Sequence, residues 1–129
     1  FDLMYSRKVE RLPVVDDEGT LTGIISMQEL LEKRQFPNAI RDSNGNLRVA
    51  ASVGPYDHAR AMMLVDAGVD AIVVDCAHGH NLNVVKSVKD IKGSISVDIV
   101  AGNIATKTAA EALADTVDGL KVGIGPGSI

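Results

Sequence analysis

Three short clusters in this 129-residue chain carry groups able to hold a ligand. The first is "VVDCAHGH", residues 73–80. It sets Asp75 at the end of an apolar run, where a carboxylate is costly unless it binds something. Cys76 follows; no base stands beside it to activate a nucleophile, so a small buried thiol is its plainer role. His78 and His80 form an H-x-H pair, which on a strand shares one face and can bind zinc, given further ligands. Only His58 remains among the histidines, and helix capping or pocket lining is the alternative. The second cluster is "AGN", ending in Asn103, whose amide offers a donor and an acceptor, though asparagine is also an ordinary turn residue. The third is "GIGPGS", residues 123–128. Gly123, Gly125 and Gly127 let the backbone approach a ligand, Pro126 stiffens the turn, and Ser128 can donate to a phosphate. The spacing is neither G-x-G-x-x-G nor a Walker loop, and a tight strand exit without ligand also fits it.

These clusters need elements to position them. From Leu47 onward the pattern alternates. "LRVAASV", "DAIVVDCA", "SVDIVAGN" and "LKVGIG" read as buried strands. "PYDHARAMMLVDAG", "NLNVVKSVKDIKG" and "TAAEALADTVDG" read as helices between them. Ala61, Leu64 and Val65 share one helix face, and Val84, Val85, Val88 and Ile91 another. Gly68 stops the first helix, and Thr108 with Glu111 is expected to cap the third. The order β-α-β-α-β-α-β implies a parallel sheet covered by helices. Each strand then delivers its polar or glycine cluster to one side, where α/β folds bind ligands. An open doubly wound sheet and half of a (β/α)₈ barrel both fit. The half barrel would leave two open edges, the mark of a piece of something longer.

Residues 1–34 differ in texture and read as strand, turn, strand and helix. "RLPVVD" and "LTGIIS" flank a turn at Gly19. "SMQE" forms a capping box in which Ser26 accepts from the Glu29 N–H and Glu29 reaches back, and Leu30 and Leu31 point inward. Residues 35–46 are polar and hold Pro37 and the pair Asn44-Gly45, a linker with a hairpin-type turn.

Composition narrows the function. The net charge of -4 argues against a nucleic-acid surface. No apolar run approaches the roughly 20 residues that cross a bilayer, so no membrane role is expected. With two Phe, two Tyr and no Trp, the core must be aliphatic. The single cysteine rules out an internal disulfide and points to a reducing compartment, the cytoplasm. Phe1 is not a natural start, which leaves a leader open.

Taken together and in order, "AGVDAIVVDCAHGH", "IVAGNIAT" and "KVGIGPGSI" resemble the IMP dehydrogenase / GMP reductase family, and inosine-5'-monophosphate dehydrogenase within it. "VERLPVVDDEGTLTGIISMQELL" is similar to the closing half of a CBS module, the regulatory pair that the dehydrogenases insert into their barrel. "FPNAIRDSNGNLRVAASVG" resembles the return into the barrel. The resemblance therefore implies an α/β fold, part of a (β/α)₈ TIM barrel preceded by the C-terminal part of a CBS module. Residues 1–34 would be the CBS part, 35–46 the linker and 47–129 the central portion of the catalytic barrel.

It also implies roles. The parent would oxidise IMP to xanthosine monophosphate with NAD, through a catalytic cysteine expected immediately after Ile129; the 129 residues alone are expected to be inactive. Asp75, Cys76, Asn103 and Gly123 would meet NAD, with Asp75 on a ribose hydroxyl and Cys76 where the family usually has serine. Ser128 and Asn103 would bind IMP. The carbonyls of Gly125 and Gly127 would hold a potassium ion. Adenine or guanine nucleotides would bind the CBS module, and the parent would be a homotetramer. GMP reductase is the nearest alternative, and residues 1–34 count against it because it normally lacks CBS modules. A non-catalytic, nucleotide-sensing CBS relative and a metal-dependent hydrolase using His78 and His80 are further ones.

Overall fold

Strands whose successive residues are apolar can bury both faces, and four such runs pair side by side here. In the computed structural model, which describes residues 1–125, the chain divides into two compact units, Phe1–Leu47 and Arg48–Ile129.

The second unit is built on β3 (Ala50–Val53), β4 (Ala71–Asp75), β5 (Asp98–Ile104) and β6 (Gly119–Val122). They form a parallel sheet in the order β3-β4-β5-β6. Chain order and sheet order coincide, so the strand reversal that defines a doubly wound sheet is absent among the described residues. The connecting helices are α3 (His58–Asp66), α4 (Leu82–Ser94) and α5 (Lys107–Ala114). Their inward residues Ala61, Val84, Val88, Ile91, Ala109 and Leu113 pack with Val53, Ile72, Val74, Ile99 and Ala101 of the strands in one cluster. Ile72, Ile91, Ile99 and Leu113 are essentially inaccessible, and burying a side chain of this size stabilises by about 1.5–3 kcal/mol. Because side chains alternate along a strand, the residues between these, such as Val73 and Val100, turn to the other face.

Helix starts follow the side chains that can cap them. Asp57, Asn81 and Thr106 accept from the N–H groups of Arg60, Asn83 and Ala109. Thr106 thus replaces the expected Thr108 as cap of α5. Glu111 pairs with Lys107 one turn back. Gly68 ends the α3 segment at φ 91°, which suits glycine. The polar residue buried on α4, Ser87, donates to the Pro55 carbonyl and lies 2.8 Å from Nε2 of His58. With its one proton so used, the serine accepts from the imidazole, which must carry hydrogen on Nε2.

Asp118, just before β6, ties three segments together. Its carboxylate accepts from the Ile99 N–H at 2.8 Å and from Lys92 of α4, and its own N–H donates to the Ile99 carbonyl. The lysine foremost, then the Ile99 N–H, hold the Asp118 carboxyl below its ordinary pKa.

The first unit contains an antiparallel pair, β1 (Arg11–Val15) and β2 (Leu21–Ser26), followed by α2 (Met27–Gln35). Asp16 shapes the turn between the strands by accepting from the N–H groups of Glu18 and Thr20. Ser26 caps α2 through the Glu29 N–H as expected, but Glu29 reaches forward to Lys33 at 2.8 Å instead of back. Leu31, expected inside, is exposed. The chain also opens with a helix that the sequence reading lacked, α1 (Asp2–Arg7), closed by Lys8 in the left-handed conformation. Met4 is the buried apolar residue of this unit among the described residues. In the following loop, Asp42 accepts from the N–H groups of Asn44 and Asn46, and Arg41 bridges to Leu47.

Two outcomes test this packing. Gly102 of β5 stands in register with Asp75 and Lys121. A Cβ on it would come within 2.5 Å of the Lys121 carbonyl oxygen and 2.6 Å of its Cβ. Gly102→Ala is expected to destabilise by about 1–3 kcal/mol in thermal or urea unfolding. Gly93→Ala, where nothing lies within 4 Å of an added Cβ, should cost nothing. The second outcome concerns acid. Because the folded pKa of Asp118 is lowered, its stabilising contribution is complete above the ordinary aspartate value. It is lost as pH falls through the folded value. Melting temperatures measured across that acid range should fall less steeply for Asp118→Asn than for the unaltered protein.

Candidate functional site

Parallel pairing lines up the strand ends, and the register decides what meets there. Asp75 pairs with Gly102 and Gly102 with Lys121, so three neighbouring strands present these residues in one row on one face. Glycine in the middle removes the side chain that would stand between the outer two. The Lys121 ammonium spans the gap and donates to both carboxylate oxygens of Asp75, at 2.8 Å to Oδ1 and 2.9 Å to Oδ2. Asp75 is therefore neither buried nor unpaired, contrary to the expectation of a carboxylate stranded at the end of a buried strand: 43% of its side chain is exposed.

The chain beyond β4 is laced to the end of β5 by its backbone. The Cys76 N–H donates to the Gly102 carbonyl at 2.9 Å, the Asn103 N–H to the Cys76 carbonyl at 2.7 Å, and the Gly79 N–H to the Asn103 carbonyl at 2.8 Å. A Cβ at Gly79 would lie 3.0 Å from that same Asn103 oxygen, so the approach depends on glycine there. The Cys76 thiol is half-buried and sits 3.3 Å from the Gly102 carbonyl. It packs at the margin of the core, only partly buried where a small buried thiol was expected.

Asn103 follows Gly102 through a cis peptide. Its side-chain oxygen Oδ1 is buried and has no hydrogen-bond partner, the only such side-chain atom among the described residues. Buried acceptors without a donor are rare in folded proteins, and at the carboxyl end of a strand a ligand's N–H or O–H is a natural donor. Beyond β6, Gly123 takes φ 107°, its N–H donates to the Ile104 carbonyl at 2.8 Å, and open space lies where a Cβ would stand. Gly125 is exposed. Gly127 and Ser128 lie outside the described residues.

His78 and His80 are both exposed, with ring centroids 6.5 Å apart. His58 is engaged with Ser87. Among the described residues no three His, Cys, Asp or Glu side chains converge as metal ligands do, so nothing here supports the hydrolase alternative. No helix is long and apolar enough to cross a membrane among the described residues.

Asp75, Cys76, Asn103 and Gly123 thus share one rim, that of the carboxyl ends of β4, β5 and β6. Sequence reasoning missed Gly102 and Lys121. Lys121 did carry a signal, a lone charge inside the apolar run "LKVGIG". Gly102 carried one only through the register, which the sequence does not print.

The family model described as "IMP dehydrogenase / GMP reductase domain" matches residues 7–129. Inosine-5'-monophosphate dehydrogenase of Halobacterium salinarum is 53% identical over 128 residues, covering 99% of this chain and 26% of the relative. That of Methanocaldococcus jannaschii is 53% identical over 132 residues, covering 99% and 27%. The chain therefore spans about a quarter of the length of these curated relatives. Among solved structures, GMP reductase from Trypanosoma brucei in complex with guanosine 5'-triphosphate superposes with a TM-score of 0.73 at 44% identity, over 99% of this chain and 32% of that one. The match to a GMP reductase includes the first unit, so residues 1–34 do not count against the reductase as the sequence reading held. With residues 7–129 matched by the family model and 99% of its length covered by a relative 53% identical to it, this chain belongs to the IMP dehydrogenase / GMP reductase family.

Proposed function

We propose that this chain carries, in residues 47–129, the central part of the catalytic barrel of an IMP dehydrogenase, which oxidises inosine 5'-monophosphate to xanthosine 5'-monophosphate with NAD. The observation that carries the reading is the rim itself. A carboxylate, an unsatisfied buried amide oxygen and an open glycine turn sit on adjacent strand ends, in a chain about half identical to dehydrogenases of that name. The sequential parallel sheet with helices on one face supports four strands of a (β/α)₈ barrel. Residues 1–34 are read as the closing part of a CBS module open to adenine or guanine nucleotides, residues 35–46 as the linker and 47–129 as barrel.

The residues present suit a nucleotide and a dinucleotide. Asp75 retains acceptor capacity for a ribose hydroxyl of NAD. Asn103 Oδ1 accepts a hydrogen bond where purine and nicotinamide would meet. Cys76 lines the floor beneath the cofactor, and Gly123 leaves space against the nicotinamide end. Ser128 would donate to the IMP phosphate. The carbonyls of Gly125 and Gly127 would hold potassium and so order the loop carrying the catalytic cysteine, which this reading places immediately after Ile129. NAD, when bound, supplies the hydride acceptor. On this reading the parent is a cytoplasmic homotetramer and the 129 residues alone do not turn over.

The second reading is a GMP reductase, favoured by the solved structures at 44% identity. Both are tested on the full-length protein carrying this chain. NADH formation from IMP and NAD, followed by near-ultraviolet absorbance and stimulated by potassium, is the expected result. NADPH oxidation with GMP, without NADH formation from IMP, would transfer the assignment to the reductase. Neither activity in a folded protein that binds IMP would leave a nucleotide-sensing relative.

A further inference from the structure

The H-x-H pair is a motif that neither the fold nor the reading above absorbs. His78 and His80 are exposed, while Gly79 between them is buried. The backbone is the cause. The Gly79 N–H donates to the Asn103 carbonyl at 2.8 Å. A Cβ at 79 would stand 3.0 Å from that oxygen and 3.3 Å from Cγ2 of Ile104. With residue 79 pressed against β5, its two neighbours turn outward together, and their ring centroids lie 6.5 Å apart. Among the described residues, the histidine engaged in side-chain hydrogen bonding is His58. Both outward rings therefore keep their nitrogens available.

We infer that His78 and His80 chelate one divalent transition-metal ion, in a two-imidazole site that water completes. Metal–nitrogen bonds of about 2 Å set two rings on one ion with centroids about 5 Å apart. The observed spacing closes to that by rotation about the outer torsions, which are broad for an imidazole. Neutral imidazole suits nickel, copper and zinc, whereas calcium and magnesium take oxygen ligands. The neighbours add no further ligand. The Cys76 thiol is turned to the Gly102 carbonyl at 3.3 Å, and Asn81 Oδ1 accepts from the Asn83 N–H at 2.9 Å. No third His, Cys, Asp or Glu converges among the described residues. Two protein ligands make a labile site of micromolar affinity, distinct from a closed structural centre and from a hydrolase metal. The anchored Gly79 holds the two rings on one side before the ion arrives, which lowers the ordering cost of binding. The site stands independently of the dehydrogenase reading.

The test is calorimetric titration of nickel chloride into the full-length protein carrying this chain, free of any affinity tag and stripped of metal by a chelator. His78→Gln, His80→Gln and the double variant are titrated alongside. One ion per chain is expected to bind through this pair. Each single variant should weaken that binding about tenfold or more, because the second imidazole acts at high effective concentration. The double variant should lose little beyond either single one. Nickel binding that persists unchanged in both single variants would overturn the inference. So would a halved stoichiometry at unchanged affinity, the mark of two independent imidazoles. If the variants fail to fold, the unaltered protein decides. Nickel should slow acylation of both His78 and His80 by diethyl pyrocarbonate, read by peptide mass spectrometry, and an unchanged rate at either one would overturn the inference.

Discussion

Parity along a strand governs this structure. Helices α3, α4 and α5 cover one face of the parallel sheet, and Ile72, Val74, Ile99 and Ala101 are driven to that face by the apolar area they remove from water. Once Ile72 and Val74 are committed, Asp75 falls on the opposite face with Val73, since a shift of one residue would reverse every side chain. The same rule sends Gly102 and Lys121 there from the neighbouring strands. The composition of the rim is thus decided by core packing several residues away.

Polar groups at the rim are satisfied in two ways. The loop after β4 is held by main-chain bonds to Gly102 and Asn103, and the Asp75 carboxylate is held by a lysine. Of the buried side-chain polar atoms among the described residues, only Asn103 Oδ1 has no hydrogen-bond partner. Such an atom carries the penalty of a lost hydrogen bond. The fold accordingly leaves its polar vacancy where the strands end, and the helix-covered interior has none among the described residues.

Much of this was legible in the sequence. The alternation of apolar runs and helical spacings located the four parallel strands and three helices, and "DCAHGH" and "AGN" marked strand ends that do converge. The misses have physical causes. Thr106 and Thr108 are equally good caps by type, and only the geometry of the turn selects between them. Leu31 looked internal because helical spacing shows which residues share a face but not whether anything covers it. The helix Asp2–Arg7 is too short for periodicity to register. The Asp75–Lys121 pair was hidden because its partners are 46 residues apart. Their meeting depends on register across an intervening strand, which local pattern cannot give.

The lacing of residues 76–79 onto β5 bears on how this loop can vary. Its course is set by carbonyls and amides at Cys76, Gly79, Gly102 and Asn103. The glycines are constrained by the space their missing side chains leave. The side chains of Cys76 and Ala77 enter none of these main-chain bonds. Substitution at 77, whose side chain is exposed, can therefore change what the loop presents while its path stays the same. The loop separates shape from chemistry, and a lineage could change the surface it presents there without refolding the sheet.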